Sequence, residues 1–289
     1  MEKLLIEVNE TYDLNNNTNY CDEFVNIENG IIKGLKVGTS KFNDLEIDVV
    51  EENSLSDSFT LSYGRLSNKN LLVLGDSVSA QATIGDGKTY STLLKEKLNI
   101  KTLLNAAIGG TTLTYMYEGS NIDKEYHSHE TAIDGCRVVT RLALDNKLKD
   151  FDYVIIAYGH NDQYFKPEVD QDNNENVSTL EQCKSYKNSF RFIINTLKKH
   201  NPNIRIMVLN CTYSEYDIVS KSPYGDKFNY ESYRQASKEI ASEYKLKYVD
   251  PWEYMKPYSD YTTTNYYYKD SVHISPNGHK LLFEYLLNK

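Results

Sequence analysis

Two short motifs contain residues whose types and spacing could support nucleophilic chemistry. The tripeptide Gly-Asp-Ser at 75–77 follows an apolar run, and a serine at such a turn can present its hydroxyl as a nucleophile. Near the other end of the chain, Asp270 precedes His273 by three residues. A carboxylate at this spacing can hold the imidazole in one tautomer, which lets the histidine act as a general base. Ser77, His273 and Asp270 are therefore candidate reacting residues.

Two further motifs could donate hydrogen bonds to a negative charge that develops on oxygen. The loop that starts at Asn105 ends in Gly109 and Gly110, where no side chain shields the backbone N–H. The segment Gly-His-Asn-Asp at 159–162 places the side-chain amide of Asn161 after another apolar run. Each motif alone also fits an ordinary turn, so only the occurrence of all the motifs together, in this order, indicates a reactive site.

Alternating strands and helices would position these motifs. Short apolar runs at 71–74, 103–104, 153–158, 204–209 and 246–249 predict five buried strands. Helical periodicity between them predicts crossover helices, and Ser275 followed by Pro276 predicts the start of a last helix. The alternation predicts a three-layer α/β/α fold with a five-stranded parallel sheet. Ligands bind at the carboxyl ends of such strands, and the four motifs follow strands one, two, three and five.

Residues 1–68 have a different pattern. Apolar or alternating runs at 4–8, 23–27, 31–37, 45–50 and 58–63 are separated by turn-forming residues, which predicts antiparallel strands joined by hairpins. The dipeptide Asn29-Gly30 is the strongest hairpin signal. We therefore divide the chain into a β-rich N-terminal segment, residues 1–68, and an α/β domain, residues 69–289.

The four motifs together resemble the SGNH (GDSL-type) hydrolase superfamily, which is named for four such blocks. The blocks are Gly-Asp-Ser at 75–77, Asn-x-x-x-x-Gly at 105–110, Gly-x-Asn-Asp at 159–162 and Asp-x-x-His at 270–273. The resemblance covers residues 71–289, and it departs from the family at Ala107, where glycine is usual. It implies a flavodoxin-like sheet and a serine ester hydrolase that needs no metal or other cofactor.

The resemblance also implies a role for each matched position. Ser77 matches the nucleophile, His273 the base that deprotonates it, and Asp270 the residue that orients this base. The oxyanion hole would consist of the backbone N–H of Ser77, the backbone N–H of Gly110 and the side chain of Asn161. Of the two glycines in the second block, Gly110 has the spacing found in the family.

The family includes lipases, lysophospholipases, thioesterases and carbohydrate esterases, so the fold does not name the ester. We expect a small acyl group, an O-acetyl group, on a carbohydrate. His160 in the third block is similar to the form found in some carbohydrate acetylesterases, and Tyr164, Tyr266 and Tyr267 are near the predicted active edge. Tyrosine offers a flat apolar face and a hydroxyl, which suits a sugar. The chain has 25 tyrosines, so simple packing or a composition bias explains them equally well.

Three other functions stay open. The protein could be a lipase, lysophospholipase or thioesterase of the same superfamily. It could be an O-acyltransferase, in which a sugar acceptor replaces water. It could also be a carbohydrate-binding module on an esterase fold, although intact Ser77, Asn161, Asp270 and His273 argue against such a loss of activity.

Charge and composition limit the classes of binding partner that we expect. The chain has 41 acidic and 32 basic residues, a net charge of −9, and no basic block, so nucleic acid is not expected as a partner. No apolar run approaches the roughly 18 residues of a transmembrane helix, so membrane insertion is not expected. The start of the chain does not read as a signal peptide, which predicts a cytoplasmic protein, or a secreted one if a leader has been removed.

Neither the cysteines nor the histidines suggest a cross-link or a metal site. The four cysteines are far apart and form no Cys-x-x-Cys pair, which predicts free and mostly buried thiols. The group His-Ser-His-Glu at 127–130 has no third cluster of ligands that would favour a metal. The expected partner is therefore a small-molecule or glycan ester, and the oligomeric state stays open.

Overall fold

The computed structural model describes residues 2–7, 11–13, 18–43, 45–50, 61, 65–85, 87–117, 134–170, 176–215 and 229–289. The group at 127–130 and, apart from Leu61, the run at 58–63 lie outside the described residues. Cys136, Cys183 and Cys211 are buried, Cys21 is exposed, and all four thiols are free, as predicted. Within the described ranges, no helix is long and apolar enough to cross a membrane.

The elements of residues 69–289 alternate as predicted, after a run of short strands. The strands are β1 (Glu2–Glu7), β2 (Thr11–Asp13), β3 (Tyr20–Cys21), β4 (Val25–Glu28), β5 (Ile31–Gly34), β6 (Gly38–Phe42), β7 (Leu45–Val50), β8 (Asn70–Gly75), β9 (Thr102–Asn105), β10 (Tyr153–Ala157), β11 (Arg205–Leu209) and β12 (Lys247–Val249). The helices are α1 (Tyr90–Lys97), α2 (Gly135–Leu144), α3 (His160–Phe165), α4 (Tyr186–His200), α5 (Tyr230–Glu243), α6 (Trp252–Met255) and α7 (Pro276–Leu286).

The large sheet has the order β12-β11-β10-β8-β9, and all of its strand pairs are parallel. Counted from β8 as the first strand, this is the order 2-1-3-4-5 of a flavodoxin-like sheet. The strand order reverses between β8 and β10, and ligands bind in the crevice at such a point. The predicted fold class is confirmed.

The buried strand β8 shows why helices pack on both faces of the large sheet. Leu72 and Leu74 of β8 belong to a core that includes side chains of α2, α4 and α5. Leu71 and Val73, whose side chains point the opposite way in a strand, belong to a second core that includes side chains of α1 and α7. All four residues are fully buried, so β8 must be apolar on both faces.

The last helix begins as predicted. The hydroxyl of Ser275 caps α7 by accepting a hydrogen bond from the N–H of Gly278 at 3.2 Å, and Pro276 occupies the first turn. Gly278 lies against the preceding segment, because a Cβ atom there would be only 2.1 Å from the carbonyl oxygen of Tyr267. The start of α7 is therefore fixed against the loop that contains Asp270 and His273.

The N-terminal strands form two small sheets, with the orders β1-β7-β6 and β2-β5-β4-β3. The predicted hairpin at Asn29-Gly30 joins β4 to β5, and both turn residues have positive φ, 49° and 79°. The prediction of purely antiparallel pairing is wrong for one pair, because β1 pairs with β7 in parallel. Buried apolar side chains of β4, β5 and β7 form a separate small core, whereas Leu61 and Leu66 belong to the core that includes side chains of α1 and α7. The division at residue 68 stays a prediction.

Candidate active site

A continuous chain of hydrogen bonds joins the three candidate reacting residues. His273 Nε2 lies 2.9 Å from Ser77 Oγ. His273 Nδ1 lies 2.9 Å from Asp270 Oδ2 and 3.1 Å from Asp270 Oδ1. Each ring nitrogen of the imidazole thus faces one neighbour, a hydroxyl on one side and a carboxylate on the other. The structure therefore brings together the three residues that the sequence analysis singled out.

The loop between Tyr268 and Ile274 holds Asp270 and His273 in this arrangement. Tyr268 and Ile274 form an isolated antiparallel bridge at the base of the loop. Inside the loop, Asp270 Oδ1 accepts the N–H groups of Val272 at 2.9 Å and His273 at 2.7 Å. Partial burial raises the pKa of Asp270, but these donors and the imidazole outweigh it, so the net pKa is lowered. Asp270 is therefore held as a carboxylate.

Ser77 is presented at the carboxyl end of β8. Gly75 permits the close approach of the neighbouring strand, because a Cβ atom there would lie 2.8 Å from the carbonyl oxygen of Ala157. The carboxylate of Asp76 is buried and accepts the N–H of Val78 at 3.0 Å. The hydroxyl of Thr83 donates to the carbonyl oxygen of Ser77 at 2.8 Å. These contacts fix the backbone of the turn, whereas Ser77 itself is only half-buried.

The predicted oxyanion donors follow β8, β9 and β10: Ser77 and Gly110 lie on loops, and Asn161 lies in the first turn of α3. Gly110 has a φ of 80°, a conformation that glycine adopts without strain, and Gly109 does not share this positive φ. Among the described residues, the N–H groups of Ser77 and Gly110 donate no hydrogen bond. Asn161 Nδ2 donates to the carbonyl oxygen of Thr111 at 2.8 Å, which ties the third block to the second.

The sequence of residues 73–281 matches the GDSL-like lipase/acylhydrolase family. The chain belongs to this family. This hydrolase is therefore an SGNH-type enzyme that hydrolyses esters. No curated protein sequence matches the chain.

Solved structures resemble the hydrolase in fold. A protein from Lactobacillus plantarum is 15% identical, with a TM-score of 0.53 and coverage of 78% of this chain and 97% of that one. A protein described as a possible lipase from Chitinophaga pinensis is 15% identical, with a TM-score of 0.50 and coverage of 76% and 96%. An acetylxylan esterase from Geobacillus stearothermophilus is 18% identical, with a TM-score of 0.46 and coverage of 77% and 94%.

Asp162 is a buried residue of the hydrolase that the sequence analysis left without a role. Its side chain is fully buried and accepts the N–H groups of Leu113 at 2.8 Å and Thr114 at 3.0 Å. It also accepts the hydroxyl of Thr114 at 2.6 Å. Burial raises the pKa of Asp162 to about 6, against the effect of these donors. Asp162 therefore connects the helix that contains Asn161 to the chain that follows Gly110. Its position next to Asn161 in the third block is the sequence feature that could have indicated this role.

The predicted substrate-binding residues differ in exposure. Tyr266 is 53% exposed, whereas Tyr164 and Tyr267 are half-buried. His160 is only 5% exposed, and its Nε2 lies 3.4 Å from the hydroxyl of buried Thr212. A role for His160 in binding substrate stays a prediction. The contact with Thr212 was not visible in the sequence, because the two residues are 52 positions apart.

Proposed function

We propose that Ser77, His273 and Asp270 act as a nucleophile, a general base and an orienting carboxylate in ester hydrolysis. The supporting observation is the hydrogen-bond chain from Ser77 Oγ through both ring nitrogens of His273 to Asp270, with distances of 2.9 Å on each side. This arrangement has the geometry required for a serine to be activated by a histidine whose tautomer a carboxylate fixes.

The reaction then proceeds in two steps. Ser77 Oγ attacks the ester carbonyl carbon while His273 Nε2 takes the hydroxyl proton, which produces a tetrahedral intermediate with a negative oxygen. This intermediate collapses when the imidazolium returns the proton to the departing alcohol, and the acyl group stays on Ser77. In the second step, water loses a proton to His273 and attacks the acyl carbon, which releases the carboxylic acid and restores Ser77.

In this proposal, the negative oxygen binds the N–H of Ser77, the N–H of Gly110 and the side chain of Asn161. Neither backbone N–H donates elsewhere within the described chain. One hydrogen of the Asn161 amide is used by Thr111, which orients the amide and leaves its second hydrogen for the oxyanion. Fixed donors of this kind stabilise the transition state without reorganising during the reaction.

Replacing Asn161 by alanine is expected to lower kcat by about 10²–10³-fold, equivalent to roughly 2.7–4 kcal/mol, because one oxyanion donor is lost. KM should change little, because the donor acts on charge that exists only in the transition state. Steady-state kinetics on p-nitrophenyl acetate would test this, with a thermal melt to confirm folding. An increase in KM at constant kcat would instead place Asn161 in ground-state binding.

We further propose that the ester is a small acyl group, an O-acetyl group, carried by a carbohydrate. Tyr266, the exposed predicted substrate residue, lies four residues before Asp270 and therefore close to the reacting groups along the chain. Its ring can pack against the apolar face of a sugar while its hydroxyl remains available to the sugar hydroxyls.

Rates on p-nitrophenyl acetate, butyrate and octanoate would test the acyl preference, with the Ser77→Ala variant as the blank. We expect acetate to be the best substrate, and O-acetylated sugars would then be assayed for release of acetate. A preference for octanoate would favour a lipase or thioesterase. Acetate transfer to an added sugar, faster than release of free acetate, would identify an acyltransferase. Absence of turnover with all three esters and with O-acetylated sugars would contradict the proposal and favour a binding module.

A further inference from the structure

Five tyrosines form a continuous series of ring contacts on the surface of the hydrolase. The centroid distances are 4.7 Å for Tyr266–Tyr267, 5.0 Å for Tyr267–Tyr258, 6.0 Å for Tyr258–Tyr254 and 4.5 Å for Tyr254–Tyr285. We call this series the tyrosine ladder. It runs from the segment before Asp270, through Tyr254 of α6, to Tyr285 of α7.

One end of the tyrosine ladder is built into the same turn as the reacting residues. The carbonyl oxygen of Tyr267 accepts the N–H of Ser275 at 2.9 Å, and that of Tyr266 accepts the Ser275 hydroxyl. Asp270 and His273 lie between these hydrogen-bonded positions. A molecule bound to this end of the ladder would therefore lie next to the loop that holds the general base.

The rings of the ladder are held in place and still reach the surface. Tyr254, Tyr258, Tyr267 and Tyr285 pack against the core beneath α7, and each keeps part of its side chain accessible. Tyr266 is more than half exposed and packs edge-on against Tyr267 at 83°. Rings that are already fixed lose little conformational freedom when a ligand binds, which favours affinity.

The chemistry of the ladder fits a neutral, extended ligand with alternating apolar and hydroxyl surfaces. All five rungs are tyrosines, and the exposed residues between Tyr261 and Tyr266 are three threonines and Asn265. Charged groups lie nearby: exposed Asp260 accepts the hydroxyls of Thr262 at 2.8 Å and Thr263 at 2.7 Å, and Lys289 Nζ lies 4.7 Å from the ring centre of Tyr285 at the far end. Flat faces beside hydroxyl and amide groups suit the C–H faces and hydroxyl edges of successive sugar rings better than an ionic partner.

We infer that the tyrosine ladder binds the sugar chain of the substrate beyond the sugar that carries the ester. This inference rests on the proposed function and adds to it that the substrate is an oligosaccharide or polysaccharide. The sugar next to the ester would contact Tyr266 and Tyr267, and sugars further along would follow towards Tyr258 and Tyr254.

Chain-length dependence of hydrolysis tests the inference. The probes are O-acetylated glucose, the correspondingly O-acetylated linear cellohexaose, and p-nitrophenyl acetate as the sugar-free ester. For wild type, kcat/KM should be higher on the hexasaccharide than on the monosaccharide. In Tyr266→Ala and Tyr258→Ala, the ratio of kcat/KM on the hexasaccharide to that on p-nitrophenyl acetate should fall by about tenfold, in line with the loss of one or two aromatic contacts.

Tyr244→Ala is the matched control, because Tyr244 is half-buried and packs against the core on the opposite face of the sheet. It should retain the wild-type ratio. Equal wild-type rates on both sugar esters, or an unchanged ratio in both ladder variants, would overturn the inference while leaving the proposed sugar esterase intact. Turnover of p-nitrophenyl acetate without turnover of either sugar ester would overturn the sugar part of the proposed function, and the inference with it.

Discussion

The Ser77→Ala variant is expected to have a kcat lower than wild type by about 10⁶-fold on p-nitrophenyl acetate, because the covalent route is lost. His273→Ala should lose a similar amount, since the hydroxyl 2.9 Å from His273 Nε2 then has no base. Residues that act as a unit are not additive, so the Ser77→Ala/His273→Ala double variant should be no slower than either single variant.

Kinetics of the three proteins, with thermal melts to confirm folding, would test this expectation. Ser79→Ala is the matched control, because Ser79 is two residues further on and its hydroxyl contacts Tyr90 at 2.9 Å rather than His273. It should retain a rate within about tenfold of wild type, since a neutral buried hydrogen bond contributes only about 1 kcal/mol to stability. A loss below about 100-fold in His273→Ala, or additive losses in the double variant, would remove His273 from the proposed mechanism.

The Asp270→Asn variant is expected to lower kcat by about 10⁴-fold, because it would stabilise the wrong tautomer of His273. Asp270 Oδ1 accepts two backbone N–H groups, from Val272 and His273, so the amide oxygen of asparagine should take this position. The amide NH₂ would then occupy the position of Oδ2, which is 2.9 Å from His273 Nδ1. Nδ1 would become an acceptor, Nε2 would hold the proton, and Ser77 would lose its base.

Asp270→Ala separates tautomer control from simple loss of the carboxylate. Alanine removes the orienting oxygen but adds no donor, so Asp270→Asn should be at least as slow as Asp270→Ala. Nitrogen-15 NMR of the imidazole should find the proton on Nδ1 in wild type and on Nε2 in Asp270→Asn. A variant Asp270→Asn that keeps the wild-type tautomer, or that is much faster than Asp270→Ala, would contradict this explanation.

The α/β domain was predictable because its strongest signals are local. The apolar run of β8 must be buried on both faces, which leaves few alternatives to a central parallel strand. Ser275 and Pro276 marked the start of α7 because capping depends on neighbours only a few residues away. Each motif follows a predicted strand, and the carboxyl ends of parallel strands lie at the same edge of a sheet. The candidate residues were therefore expected to meet at that edge.

The structural features that the sequence did not indicate depend on partners far away along the chain. Strand β6 (Gly38–Phe42) contains glycine, threonine, serine and lysine, so its sequence lacks an apolar pattern and it is defined by pairing with β7. The parallel partner of β1 is likewise about 40 residues away, beyond any local pattern. The contact of His160 with Thr212 and the hydrogen bonds of Asp162 with Leu113 and Thr114 also involve residues in other loops.

The hydrogen bond between Ser77 and His273 joins residues 196 positions apart, across almost the whole α/β domain. A ribosome therefore completes β8, β9 and β10, with Ser77, Gly110 and Asn161, long before it adds His273. Under the proposed mechanism, the growing chain has the nucleophile without its base during this interval, and the base arrives only just ahead of α7. The proposal therefore implies that hydrolytic competence is acquired in a single late step, and that a chain cut short before residue 273 is inert even if most of its sheet has formed.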